Sequence, residues 1–171
     1  MNKLFKVVLA ASVALSMTSC LKDDEHFVDF AASGYVAEIP YVANRSILKA
    51  VTVAAGTTPT VAPVDINIAS PNPPTTDVQI GVGPDQAALD AYNKANNRAY
   101  KLLPATAYQL SPATVTVASG NRIGTVNVSF IGSQVPTTGG PYALALSIQT
   151  VPSNVTISAN YRTQILAITV K

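Results

Sequence analysis

One thiol, one imidazole and nine carboxylates are the groups in this 171-residue chain best suited to chemistry. Their spacing argues against most of it. Glycoside hydrolysis needs two carboxyl groups held about 5 to 10 Å apart in a cleft. From residue 30 onward the acids are Glu38, Asp65, Asp77, Asp85 and Asp90, and each has an ordinary structural reading. Asp65 points outward from the alternating run VDINI, and Asp77 opens a strand. Asp85 follows Pro84 where a helix cap belongs, and Asp90 falls on that helix's surface. Nucleophilic catalysis lacks a base, because the single histidine, His26, sits in a charged stretch beside the only cysteine, Cys20. Zinc would need more thiols and imidazoles. The stretch DVQIGVGPD has too few oxygens for a calcium loop, and no phosphate-cradling glycine pattern is present. The expectation is a protein that is not an enzyme and uses no metal or cofactor.

The charge is unevenly placed. The chain is 48% hydrophobic and only 12% charged, about half the usual charged fraction. Lys3 and Lys6 precede Cys20, and the remaining nine cations balance nine anions. Residues 21–29 set Lys22 against Asp23, Asp24, Glu25 and Asp29, whereas residues 30–171 carry a net charge of +3. No basic stripe interleaved with aromatics appears, so nucleic acid is not an expected partner.

The first twenty residues, MNKLFKVVLAASVALSMTSC, have the layout of a secretory signal peptide: a lysine-bearing start, an apolar run and small residues before Cys20. Val7 to Met17 would make roughly 16 Å of helix, too short for a hydrocarbon core of about 30 Å. A cysteine after Met17-Thr18-Ser19 resembles the bacterial lipobox. That resemblance implies a lipoprotein signal peptide over 1–19, acylation of Cys20, an acidic tether over 20–29 and a partner in the membrane. The other reading is a free cysteine in an ordinary secreted protein, an exposed thiol in an oxidising compartment. The following LKDDE is similar to the signal that sends Bacteroidetes lipoproteins to the outer leaflet, with Lys22, Asp23 and Asp24 as its matching residues. The expected location is the outer membrane, cell-surface exposed. A solvated spacer facing the periplasm is the alternative, and His26 is incidental in either case.

The elements that would position any site are strands. Val64/Ile66/Ile68, Val78/Ile80/Val82, Val115/Val117, Val126/Val128/Phe130, Leu144/Leu146/Ile148 and Leu166/Ile168/Val170 alternate with polar or small residues, the pattern of strands with one face on a core. YVAEI and SILKAVTVAA add earlier strands, the second with a phase conflict that suggests a bulge near Lys49 or Ala50. Turn clusters separate the runs, and TVTVA-SGNR-IGTVNVSF reads as a hairpin. GPDQAALDAYNKANNRAY breaks the pattern as a short helix. Asp85 caps it, and Asn96 and Asn97 end it. These spacings predict an all-β, Ig-like antiparallel sandwich of seven to nine strands over 30–171, with one inserted helix at about 85–96 covering an end or edge.

The stretch LDAYNKANNRAYKLLPATAYQLSPATVTVASG resembles a family of N-terminal Ig-like domains of unknown function in Bacteroidetes surface lipoproteins. The matching positions are Tyr92-Asn93, Tyr100, Leu103-Pro104, Tyr108 and Gly120. A later YALAL at 142–146 is similar to the family's Tyr-Leu-Pro stretch, with Ala145 in place of the proline. The resemblance spans about 35–170 and implies surface systems that capture and degrade glycans. It implies no catalytic residues.

Material for sugar binding exists in seven tyrosines, Asn93, Asn96, Asn97, Arg98 and Arg122. For Tyr92, Tyr100 and Tyr108, a role pinning the helix through hydroxyl bonds to backbone competes with that use. The ligand-binding residues stay unassigned. Two functions follow: a lipid-anchored accessory to glycan binding or capture, and a structural or adhesive lipoprotein that meets an outer-membrane protein partner through exposed strand edges.

Overall fold

The computed structural model describes residues 34–171. The expected leader and tether, with Cys20, Lys22, Asp23, Asp24 and His26, lie outside the described residues. In chain order the strands are β1 (Tyr35–Glu38), β2 (Leu48–Val53), β3 (Thr60–Ala69), β4 (Val78–Pro84), β5 (Lys101–Leu102), β6 (Tyr108–Ser111), β7 (Thr114–Val117), β8 (Ile123–Phe130), β9 (Tyr142–Thr150), β10 (Val155–Ile157) and β11 (Thr163–Val170). One sheet runs β10-β1-β3-β8-β6. The other runs β2-β11-β9-β4-β7, with β5 added on β9.

The all-β sandwich expected from the alternation is what forms, with eleven strands among the described residues instead of seven to nine. The extra ones are short. β5 and β10 span two and three residues, too few to show an alternation. Nor is every pairing antiparallel. β10 runs parallel to β1, β11 to β2 and β5 to β9.

Burial follows the predicted faces. Val64, Ile66, Ile68, Val78, Ile80, Val115, Val117, Val126, Val128, Phe130, Leu144, Leu146, Ile148 and Leu166 are all buried, and residues from both sheets share one core. β11 departs from its predicted phase at the end. Val170 lies at the sandwich rim, 38% exposed, whereas Ile165 on the opposite face is fully buried. That second burial needs a cover, which the inserted helix supplies.

Two local expectations are corrected. TVTVA and IGTVNVSF do not pair as a hairpin. β7 bonds to β4 in one sheet, and β8 bonds to β3 and β6 in the other. The chain arches over the core between them. Gly124 permits the close approach: a Cβ there would fall 2.5 Å from Val115 Cγ1 and 3.1 Å from the Thr116 carbonyl oxygen. The expected bulge at Lys49 or Ala50 is also absent, since β2 keeps unbroken register with β11 from Leu48 to Val53. Lys49 instead reaches the open side of the sandwich, donating to the Pro63 carbonyl at 3.4 Å and lying 5.2 Å from the Tyr41 ring centroid. Tyr41 belongs to a five-residue helix, α1 (Pro40–Asn44), which the sequence did not announce. A register shift falls in β4 instead, between Gly81 and Val82.

The inserted helix, α2, spans Gln86–Asn96, as expected from Asp85 and the alanine-rich run. It covers a face, not an end. β4 runs along β9 as far as Pro84, opposite Leu146, and the chain then lifts off as α2. It returns as β5, pairing with Tyr142 and Ala143 of the same strand. The alternation of ALALSI explains why α2 fits there. Leu144, Leu146 and Ile148 fill the main core. Ala143 and Ala145 point the other way, and their small side chains leave room for Leu89 of α2. With Ile165 they form a second buried cluster, against which Tyr92, Tyr100, Leu48 and Leu102 pack.

Candidate functional site

The helix is tied down at both ends. Asp85 Oδ1 accepts from the Ala88 amide at 2.9 Å, satisfying one of the free donors of the first turn. Its Oδ2 accepts from Ser147 Oγ at 2.9 Å, and Ser147 Oγ lies 2.6 Å from Thr163 Oγ1. Ser147 has one proton, which goes to the carboxylate. Thr163 must therefore donate to Ser147, and its own oxygen keeps its acceptor capacity. At the far end Asn97 takes the left-handed conformation (φ 50°, ψ 49°) and closes the helix.

The Tyr-Asn motif acts through its asparagine. Asn93 Nδ2 donates to the Tyr100 carbonyl at 2.7 Å, and Asn93 Oδ1 accepts from the Tyr100 amide at 3.1 Å. One amide side chain thus clips the return strand to the helix, a task the sequence reading gave to tyrosine hydroxyls. The Tyr92 and Tyr100 rings pack against each other instead, with centroids 6.5 Å apart and planes tilted by 40°. Tyr108 is half-buried on the main core, and loss of solvent raises its hydroxyl pKa above the usual phenol value. Asn93→Ala removes both clips and leaves partly buried backbone groups unpaired. We expect it to cost about 1–3 kcal/mol, read as a fall in the denaturant midpoint, with Asn96→Ala on the exposed side as a milder control.

Beside α2 lies an open groove of about 390 Å³. Ala88, Ala91, Tyr92, Ala95 and Asn96 form its helix wall, and Ile47, Asn160, Arg162 and Thr163 contribute from the opposite side. Small alanines keep the helix wall low. Thr163, only 7% exposed, brings the acceptor oxygen of the Asp85–Ser147–Thr163 chain to its floor. Arg162 donates from Nη2 to the Ile148 carbonyl at 3.2 Å, which fixes the guanidinium along the sheet. The lining holds no carboxylate.

The residues singled out from sequence separate here. Tyr92 and Asn96 line the groove, whereas Asn93 and Asn97 hold the helix. Arg122 is engaged elsewhere, bonding the carbonyls of Ser70 and Pro71 and the Ser70 hydroxyl. Asn160, Arg162 and Thr163 were missed. Their only signal was a polar turn, SANYRT, between two apolar runs. The carboxylates sit as read, each against a neutral donor. Glu38 accepts from Asn67, Asp65 from Thr125, Asp77 from the Ser119 amide and Asp90 from Gln86. Among the described residues no three metal-ligating side chains gather.

The sandwich fold is shared with solved structures. A Bacteroides ovatus protein, provisionally named as carbohydrate binding, superposes with a TM-score of 0.62 at 15% identity, covering 78% of this chain and 36% of its own. A Bacteroides ovatus multidomain protein that includes DUF1735 gives 0.62 at 14% identity, covering 81% and 46%. Bacteroides thetaiotamicron EndoBT-3987, solved with a Man5GlcNAc product, gives 0.59 at 19% identity, covering 78% and 30%. Such identities establish the fold alone, and this chain spans less than half the length of each of those proteins. No curated protein matches the sequence. A family model described as "-like, N-terminal domain" matches residues 35–155. That match takes in the helix, the Asn93 clip and most of both sheets, and the chain belongs to this family of N-terminal domains.

Proposed function

We propose that this protein is a non-catalytic module, held at the outer membrane by a lipid on Cys20, that assists the binding or capture of glycans at the cell surface. The observation that carries the reading is the groove beside α2. An aromatic ring (Tyr92), two planar amides (Asn96 and Asn160), a guanidinium (Arg162) and a recessed hydroxyl (Thr163) line one open trough. Sugars present apolar ring faces and fans of hydroxyls, and such a set matches both. The carboxylates support a role without bond cleavage, because Asp65 lies in β3 paired with Thr125, whereas Asp77 lies just before β4 and caps the Ser119 amide. The company of the fold agrees: one solved relative carries a provisional carbohydrate-binding name and another was solved with an oligosaccharide product.

Equilibrium binding of the full chain in detergent to a broad panel of soluble polysaccharides tests the reading. Saturable binding to at least one glycan, without release of shorter products, is expected. Silence across the panel, combined with a stoichiometric protein partner in detergent pull-downs, would replace it with the adhesive reading.

A further inference from the structure

The groove has a charge character that glycan binding alone does not require. Its lining contains one charged side chain, Arg162, and no acid. Among the described residues that guanidinium uses Nη2 on the Ile148 carbonyl, so Nη1 and Nε remain to meet a second acceptor. Arginine presents its donors as a planar fork that fits a carboxylate. Asp85 connects to the groove only through Ser147 and Thr163, with its two oxygens already on Ser147 and the first turn of α2, and Asp90, beside Ala91 on α2, accepts from Gln86. The body as a whole is cationic, with eight lysines and arginines from residue 30 onward against five acids. A neutral sugar offers many hydroxyl protons and is well served by carboxylate acceptors, which this groove lacks. A ligand that brings its own anion suits it better.

We infer that the groove between α2 and the 158–163 turn binds an acidic sugar, a uronic-acid residue of a polysaccharide. Its carboxylate lies on Arg162, its ring lies over Tyr92, and one hydroxyl donates to Thr163 Oγ1. This rests on the glycan reading above and narrows it to one site and one chemical class.

Oligogalacturonides and their fully methyl-esterified counterparts share one sugar backbone and differ in the carboxylate charge and its methyl cap, and they make the test. With the full chain in detergent, the free acids should bind at least tenfold tighter than the esters, and raising the salt should weaken the acids selectively. Arg162→Gln should abolish the preference between acid and ester at unchanged thermal stability. Ala91→Tyr, which fills the trough from the helix side and leaves Arg162 in the chain, should remove binding of both. Equal affinity for acid and ester, or a preference that survives Arg162→Gln, would overturn the inference and leave glycan binding standing. Binding of neutral polysaccharides unaffected by Ala91→Tyr would move the glycan site elsewhere. No binding to any member of the wider panel would remove both readings.

Discussion

Phe130→Ala is expected to lower the stability of the folded body by about 3–5 kcal/mol. Phe130 closes β8, paired with Thr60 on one side and Tyr108 on the other, and it is fully buried. It heads the largest fully buried side chains, and the rest of that set is isoleucine and leucine. Many of its core neighbours are β-branched residues on strands, and these have few rotamers with which to fill a vacated space. The cost therefore includes both the lost burial and the cavity left behind. Against a typical total of 5–15 kcal/mol, one substitution would remove a large share of the stability. Urea unfolding followed by circular dichroism should show a much lower midpoint with an unchanged slope. A loss under about 1 kcal/mol would mean that the space collapses, contrary to the packing described.

Cys20→Ala should abolish lipid labelling and release the protein from the membrane fraction. Each buried methylene of an acyl chain contributes about 0.8 kcal/mol, and a single chain holds a protein only marginally. The lipobox-like leader implies three chains on Cys20, all of which depend on that residue. No other lipid site is proposed, so the expected outcome is all or none, read by labelled fatty-acid incorporation and by fractionation. Neutralising Lys22, Asp23 and Asp24 together should keep the lipid but reduce cleavage of intact cells' protein by external protease. Full lipid labelling of Cys20→Ala would sink the anchor, and unchanged protease access in the triple variant would sink the export signal.

The strand faces were legible because period two is local. Val64, Ile66 and Ile68 announce their burial without reference to any other strand. Pairing was not legible in the same way. The run after Val117 carries an ordinary turn signal, and nothing within it says that β7 and β8 enter different sheets. The decision is made across the core, where Gly124 admits the β7 valines. The cap at Asp85 could be read from its position before an alanine-rich run, but its second partner, Ser147, lies in β9 and comes to it only through the fold. The same distance hid the groove. Tyr92 and Asn96 were visible as candidates, whereas Asn160, Arg162 and Thr163 lie far along the chain in a short polar turn. The Asn93 clip shows a third case, in which the motif was seen but the working atom was misassigned. A Tyr-Asn pair draws attention to the ring, yet it is the amide that bonds both the N–H and the C=O of Tyr100, with one oxygen and one nitrogen for the two tasks.

β11 follows every other strand of this domain, yet it sits inside its sheet, between β2 and β9. Until Thr163–Val170 leave the ribosome, β2 has no neighbour in that sheet, and the second buried cluster lacks Ile165. The domain must therefore stay unfinished until β11 has emerged, and a chain cut before Thr163 would leave β2 detached from β9, β4 and β7 while the other sheet kept all its strands.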